Sequence, residues 1–227
     1  MVRPGTKPKI APGANALGAV IVGGAVSRYG KGLMNMPYDA LSEVSDDALL
    51  VLYANGDAEA SRLLTLRLAP RVLRLAARLL GDRTEAEDVT QEAMLRLWRI
   101  APEWRQGEAQ VSTWLYRVTT NLCTDRLRRK RPLALETAPE VEDGRAEVVD
   151  SMIDADRAQA LEMALATLPE RQRQAVVLRH LEGLSNPEIA QVMEIGVEAV
   201  ESLTARGKRT LASLLAGRRE ELGYGND

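Results

Sequence analysis

An all-α fold in two small helical domains is what this sequence predicts, and three observations predict it. Leu, Ala, Arg and Glu are abundant in a chain with 45% hydrophobic residues and no Phe, a mixture suited to helix packing rather than to a strand-rich core. Apolar residues recur at three- and four-residue intervals, the period of a buried helical stripe. Charge is segregated along 227 residues of net charge −2: residues 1–40 carry +4, 41–131 carry +2, 132–156 carry −7 and 157–227 carry −1. An acidic block between two helical stretches reads as a flexible, solvated linker between folded units. The expected organisation is an N-terminal extension over 1–44 without fixed structure, a first domain at 45–131, the acidic linker at 132–156, a helix-turn-helix domain at 157–219 and a tail at 220–227.

In the extension, ALGAVIVGGAV (16–26) has a basic approach and a small-residue apolar body, as a signal peptide would, but nothing after it looks secreted. It reads as a Gly/Pro/Ala extension, or as residues ahead of a true start at Met34 or Met36. Ser45 caps a first helix through Tyr53, which Asn55-Gly56 ends. From Asp57 a long apolar stripe, AEASRLLTLRLAPRVLRLAARLL, runs until Gly81 stops it, and Pro70 should bend or divide it. TEAE (84–87) has the form of a capping box, so a helix should run from there to about Trp98 with Ala86, Val89, Ala93 and Leu97 inward. After a loop around 102–107, a helix capped near Ser112 runs to about Lys130. Leu115, Val118 and Leu122 face its core side, while Arg117, Asn121, Thr124 and Arg128 recur on another side. RLRRKR (126–131) extends that cationic face, and Pro132 stops the helix. Beyond the linker, RAQALEMALATL (157–168) is amphipathic, Pro169 opens PERQRQAVVLRHLE, and Gly183 closes it. SNPE (185–188) is a second capping box, Ile195-Gly196 supplies a turn, and a last helix starts near Glu198.

Several chemistries are excluded or weakened by residue type. Cys123 and His180 are the only cysteine and histidine, so one chain assembles neither an internal disulfide nor a Cys/His zinc site. Glu85, Asp88 and Glu92 lie on neighbouring turns, but di-metal bundles of that kind take Glu-x-x-His pairs that this chain lacks. No catalytic residue, metal or cofactor is assigned. No apolar run approaches the roughly 20 residues that span a bilayer, so no membrane partner is expected and the chain reads as cytoplasmic.

The helix-turn-helix carries the strongest local signal. Ile189, Ala190, Val192, Ile195, Val197 and Val200 are the small and branched residues that let two short helices cross closely. A purely structural helical hairpin shares that pattern. On the DNA reading, Val200, Leu203 and Leu211 face inward, while Ser202, Ala205, Arg206, Lys208 and Arg209 face out. Arg206 suits a guanine edge, Lys208 and Arg209 suit phosphates, and Glu201 suits a cytosine amine. Such an acidic helix neutralises few phosphates and binds weakly alone, so a second contact is needed. Arg117, Asn121, Thr124 and Arg128, with Trp114 and Trp104 nearby, fit single-stranded or melted nucleic acid; a solvated helix with core tryptophans is the plainer alternative.

Four segments in order, AEDVTQEAMLRLW (86–98), STWLYRVTTNLCTDRLRRKR (112–131), LPERQRQAVVLRHLEGLSNPEIA (168–190) and VEAVESLTARGKRTL (197–211), resemble bacterial sigma factors of the extracytoplasmic-function type. The resemblance covers about residues 45–215 and implies two domains, regions 2 and 4, with no catalytic activity. It implies core RNA polymerase as partner, through the beta-prime clamp helices and the beta subunit, with Asp88, Gln91, Glu92 and Leu95 at the clamp contact. It implies promoter DNA as second partner: Arg117, Asn121, Arg128 and Arg129 at the minus-10 element, a flipped base captured near 102–111, and Glu201, Ser202, Ala205 and Arg206 nearest the minus-35 bases. An anti-sigma protein is implied as third. Many relatives carry a basic residue at Glu201 and another at Leu203, and Ser and Thr at Gly196 and Ala199, so the minus-35 sequence read here departs from theirs. In relatives the corresponding segment threads a basic channel of polymerase, which implies a nucleic-acid-mimic role for the eight carboxylates of 132–156 here; a solvated connector fits the same composition. A conventional duplex-binding regulator leaves the 86–131 motifs unexplained, and a sigma-like decoy has no room for a receiver domain.

Overall fold

The computed structural model describes residues 20–22, 25–27, 43–107, 109–130 and 149–216. A short antiparallel hairpin, β1 (Val20–Val22) with β2 (Ala25–Ser27), pairs Val20 with Ser27 and Val22 with Ala25. It lies inside the stretch expected to lack fixed structure, and everything else of regular structure among the described residues is helical. The remainder of 1–42, the linker over 131–148 and the tail over 217–227 lie outside the described residues.

The first helix, α1 (Asp46–Ala54), starts where expected: the Ser45 hydroxyl accepts the Ala48 N–H, and Gly56 takes φ +95° after the helix ends. Asp57 accepts the N–H groups of Glu59 and Ala60 to open α2 (Ala58–Leu80), and Gly81 ends it in the left-handed conformation at φ +67°, the region that costs a glycine least. Pro70 does not divide α2. It sits on the exposed face of a continuous 23-residue helix, where a carbonyl left without its donor can turn to water.

The next helix, α3 (Arg83–Ile100), corrects the expected capping box. Asp82, not Thr84, is the cap: its carboxylate accepts the Glu85 N–H at 3.0 Å, and Glu87 instead pairs with Arg83 at 3.2 Å. Asp is a somewhat better cap than Thr, and it stands two residues before Thr84, so the helix starts two residues earlier than the box implied. A 3-10 turn (Ala101–Glu103) leads to α4 (Val111–Lys130). Its first turn is held from a distance, because Asp47 on α1 accepts the Val111 N–H at 3.2 Å. Burial pushes the Asp47 carboxyl above the ordinary carboxylate range, with the Val111 N–H opposing.

In the second half, α5 (Val149–Ala166) begins within the stretch expected as linker. α6 (Glu170–Val176) runs on through a π turn (Val177–Leu181), and Gly183 at φ +76° ends it. The Ser185–Glu188 capping box is present in both directions and opens α7 (Asn186–Met193). The turn before α8 (Val197–Ala216) spans Glu194 to Gly196 and so contains the expected Ile195-Gly196 pair. Glu194 is the residue at positive φ (+53°), donating its N–H to Ala190 as a left-handed cap.

Two cores result, and they do not divide the chain as its motifs do. One core gathers Leu49, Leu50, Leu64, Leu68, Leu97 and Leu115 from α1–α4. The other joins Leu75, Leu79, Val89, Tyr116 and Cys123 of the first half to Leu165, Val177, Leu178, Ile189 and Val200 of the second. The two halves therefore pack face to face through a common apolar interior. No helix among the described residues is long and apolar enough to cross a membrane.

Candidate nucleic-acid interface

On α3, Ala86, Val89, Ala93 and Leu97 are buried as expected, which turns Asp88, Gln91, Glu92 and Leu95 outward. These four line one open cleft of about 430 Å3 between α3 and α4, together with Arg96, Leu122, Asp125, Arg126 and Arg129. Leu95 is 49% exposed, a large apolar side chain with charged neighbours. The Arg96 guanidinium 2.8 Å from Glu92 holds that carboxyl below its ordinary range.

The basic end of α4 corrects another expectation. Arg126 and Lys130 do not extend the outward cationic face; they fold back on α3. Arg126 bonds Glu85 and lies 3.6 Å from Asp88, while Lys130 reaches Asp82 at 3.1 Å and Glu85 at 3.4 Å. The Arg126 hydrogen bond is the main cause that holds Glu85 low. Glu85 and Asp88 thus serve as ion-pair partners joining two helices. Asn121 and Arg128 are exposed, and Arg129 lies at the edge of the α3/α4 cleft.

The rest of the polar face of α4 meets the second half of the chain. Arg117 lies 3.9 Å from Glu194. Thr124 donates its hydroxyl to Glu170 at 2.8 Å and accepts from the Gln174 amide at 2.9 Å. Tyr116 donates its phenol to Glu182 at 3.2 Å, and Arg78 of α2 reaches the other oxygen of that carboxylate at 3.0 Å. The Glu182 side chain is 4% exposed. Burial first, and the Glu182 charge second, push the Tyr116 phenol up to about 12. Arg78, Tyr116, Glu170 and Glu182 were not singled out from the sequence. Their partners lie 46 to 104 residues away, beyond any periodicity signal. A second cleft has Asp47, Gly107, Gln110 and Thr113 on one side and Glu188 and Gln191 of α7 on the other.

The helix-turn-helix presents its expected face. Glu201, Ser202, Ala205, Arg206, Lys208 and Arg209 on α8 are all exposed, while Val200 and Leu211 are buried. Glu201 accepts from the Asn186 amide at 3.3 Å, which fixes its carboxylate on the crossing helix. Gly207 lets α8 approach α6, since a Cβ there would stand 2.6 Å from Val176 Cγ2 and 3.3 Å from the Gln172 carbonyl oxygen. Burial lowers the His180 pKa, helped by Lys208 and Arg179. Trp114 packs against the first core with Trp104, edge to face, at 6.2 Å between ring centres.

Comparison with known proteins follows the same division. Residues 64–132 match the family described as Sigma-70 region 2, and residues 158–211 match Sigma-70, region 4. The chain is 38% identical over 173 residues to ECF RNA polymerase sigma factor SigM of Mycobacterium tuberculosis, covering 76% of this chain and 86% of that protein. It is 39% identical over 156 residues to ECF RNA polymerase sigma factor SigE of Mycolicibacterium smegmatis, covering 65% of this chain and 58% of that longer protein. Against ECF RNA polymerase sigma-E factor of Escherichia coli the identity is 30%, over 74% of this chain and 93% of that one. Among solved structures, CnrH in complex with the cytosolic domain of CnrY superposes with a TM-score of 0.56 at 26% identity, over 76% of this chain and 97% of the other.

Proposed function

The chain belongs to the extracytoplasmic-function sigma factors of the sigma-70 family, and on that premise we propose how it divides its work among three surfaces. The α3/α4 cleft takes the beta-prime clamp helices of core RNA polymerase. Asp88 and Glu92 supply charge, Gln91 supplies hydrogen bonds and Leu95 supplies an apolar contact that solvent otherwise covers. The observation that carries this reading is the convergence of those four side chains on one open cleft. Arg117, Asn121, Arg128 and Arg129 contact the minus-10 element. On α8, Glu201, Ser202, Ala205 and Arg206 read the minus-35 bases while Lys208 and Arg209 hold phosphates, an assignment supported by the exposure of all six.

Neither DNA surface is strongly cationic, so affinity depends on polymerase holding both at once, which makes the second contact intramolecular. An anti-sigma protein restrains the free factor, by likeness to CnrH with its bound CnrY domain. Run-off transcription from a genomic promoter library with core polymerase tests the whole reading: promoter-specific transcripts that require both proteins are expected. Asp88→Arg is expected to weaken core binding at least about tenfold by reversing a charge at the cleft while the helix-turn-helix stays folded. Unchanged core affinity would remove α3 from the interface.

A further inference from the structure

The exposed side of α8 carries residues of unlike chemistry. Glu201 lies one turn from Ala205, and Ser202 one turn from Arg206, so the four share a side of the helix. Glu201 is the anion among them. DNA phosphates repel it, and it favours binding only where a base offers it a donor. Its carboxylate accepts one hydrogen bond, from the Asn186 amide at 3.3 Å, and pairs with no cation among the described residues.

Asn186 is the first residue of α7, next to the position where its side chain would serve as a cap. The cap is complete without it: Ser185 Oγ accepts the Glu188 N–H, and the Glu188 carboxylate accepts the Ser185 N–H at 2.7 Å. The Asn186 side chain is thereby left to cross to α8. A carboxylate only accepts, so it is the NH2 group of the amide that faces Glu201. One oxygen of Glu201 is tied to the crossing helix, and the other has no partner among the described residues.

We infer that Glu201 selects a cytosine within the minus-35 element, and that Asn186 is the positioning residue that holds the carboxylate for it. The inference rests on the minus-35 reading of α8 given above. In the major groove cytosine presents its N4 amine, a donor, whereas guanine and thymine present acceptors at O6 and O4. The second oxygen of Glu201 accepts from the amine, but meets O6 or O4 as acceptor against acceptor. Adenine ranks second, because its N6 amine stands beside the N7 acceptor. The Asn186 hydrogen bond orders the Glu201 side chain before DNA arrives, which lowers the entropy lost on binding. Arg206, with donors and no acceptor, asks for the opposite edge, that of guanine, so a base-by-base assay separates the two residues.

The full chain with core polymerase tests this on a promoter library randomised across the minus-35 element, with transcripts counted by sequencing. Preference is a ratio among templates within one variant, so a change in folded fraction cancels. The parent is expected to favour cytosine at one position about tenfold over guanine or thymine. Glu201→Ala should bring that preference within about twofold and leave the other positions unchanged. Glu201→Gln should shift it toward adenine, whose N6 and N7 an amide pairs with together. Asn186→Ala should cut the cytosine preference about threefold at that position alone.

Cytosine preference that survives Glu201→Ala would overturn the inference. A merely structural tie between α7 and α8 predicts that Asn186→Ala changes overall transcription without changing base choice, and that result would overturn the positioning role. Arg206→Ala separates the inference from the reading beneath it. Altered preference with Arg206→Ala but none with Glu201→Ala overturns the cytosine contact and leaves the minus-35 reading standing. No altered preference with either substitution overturns both.

Discussion

Raising the pH should loosen the core that the two halves share, and Cys123 sets the scale. The thiol is fully buried, and burial is the main cause that pushes it from an ordinary 9.0 up to about 12. Below pH 9 it keeps its proton folded or unfolded, and its burial contributes in full. Between 9 and 12 only the unfolded chain releases the proton, so stability falls as pH rises; above 12 both states are ionised and the loss levels off. One pH unit is worth about 1.4 kcal/mol, so the loss from this group is about 1.4 kcal/mol at pH 10 and about 4 kcal/mol at its limit. Urea unfolding followed by circular dichroism at pH 8 and pH 10 measures it. Cys123→Ala costs about 1 kcal/mol at either pH for its lost volume, but it should lose about 1.4 kcal/mol less than the parent between the two. Tyr116 ionises over a higher range in both proteins and cancels in the difference. Equal losses in parent and variant would refute the argument. The thiol would then not be sealed, and the interior joining α4 to region 4 would be open in solution.

Three further outcomes follow from local geometry. Asp82→Ala should cost about 1 kcal/mol in urea unfolding, and Thr84→Ala close to nothing, because Asp82 caps α3; the reverse order would restore the capping box read from TEAE. Gly207→Ala should destabilise by about 1–2 kcal/mol, the overpacking against Val176 and the Gln172 carbonyl outweighing the gain in helix propensity, and an equal or higher midpoint would contradict that close approach. Arg206→Ala should remove about 1–3 kcal/mol of promoter discrimination if the guanidinium pairs with a guanine edge. Unchanged preference across minus-35 variants in a transcription assay would take Arg206 out of the reading set.

Much of the local structure was legible because its causes are local. Ser45, Gly81, Gly183 and the Ser185–Glu188 box act within a few residues of themselves, and each stands at the helix end expected of it. The inward stripes of α3 and α8 follow from apolar spacing alone, and they leave Asp88, Gln91, Glu92 and Leu95 outside in one case and Arg206 in the other. Where two local signals competed, the reading failed. Asp82 and Thr84 both qualify as caps, and Asp82 is the one that serves. The pattern of the four motifs placed the chain among the sigma factors, and comparison with relatives agrees.

Position along the chain says nothing about which charges meet across it. The sequence by itself determined helices, their faces, the acidic break and the family, because hydrogen bonding, capping and amphipathic spacing act over three or four residues. Only the tertiary structure decided that Arg126 and Lys130 turn back to the acids of α3, that Asp47 holds the start of α4, and that Glu170, Glu182 and Glu194 lie against the donors of region 2. The physical reason is burial. Packing Leu75, Leu79 and Tyr116 against Leu178 and Ile189 removes apolar surface from water, and the charges around that shared core must find partners wherever the packing leaves them.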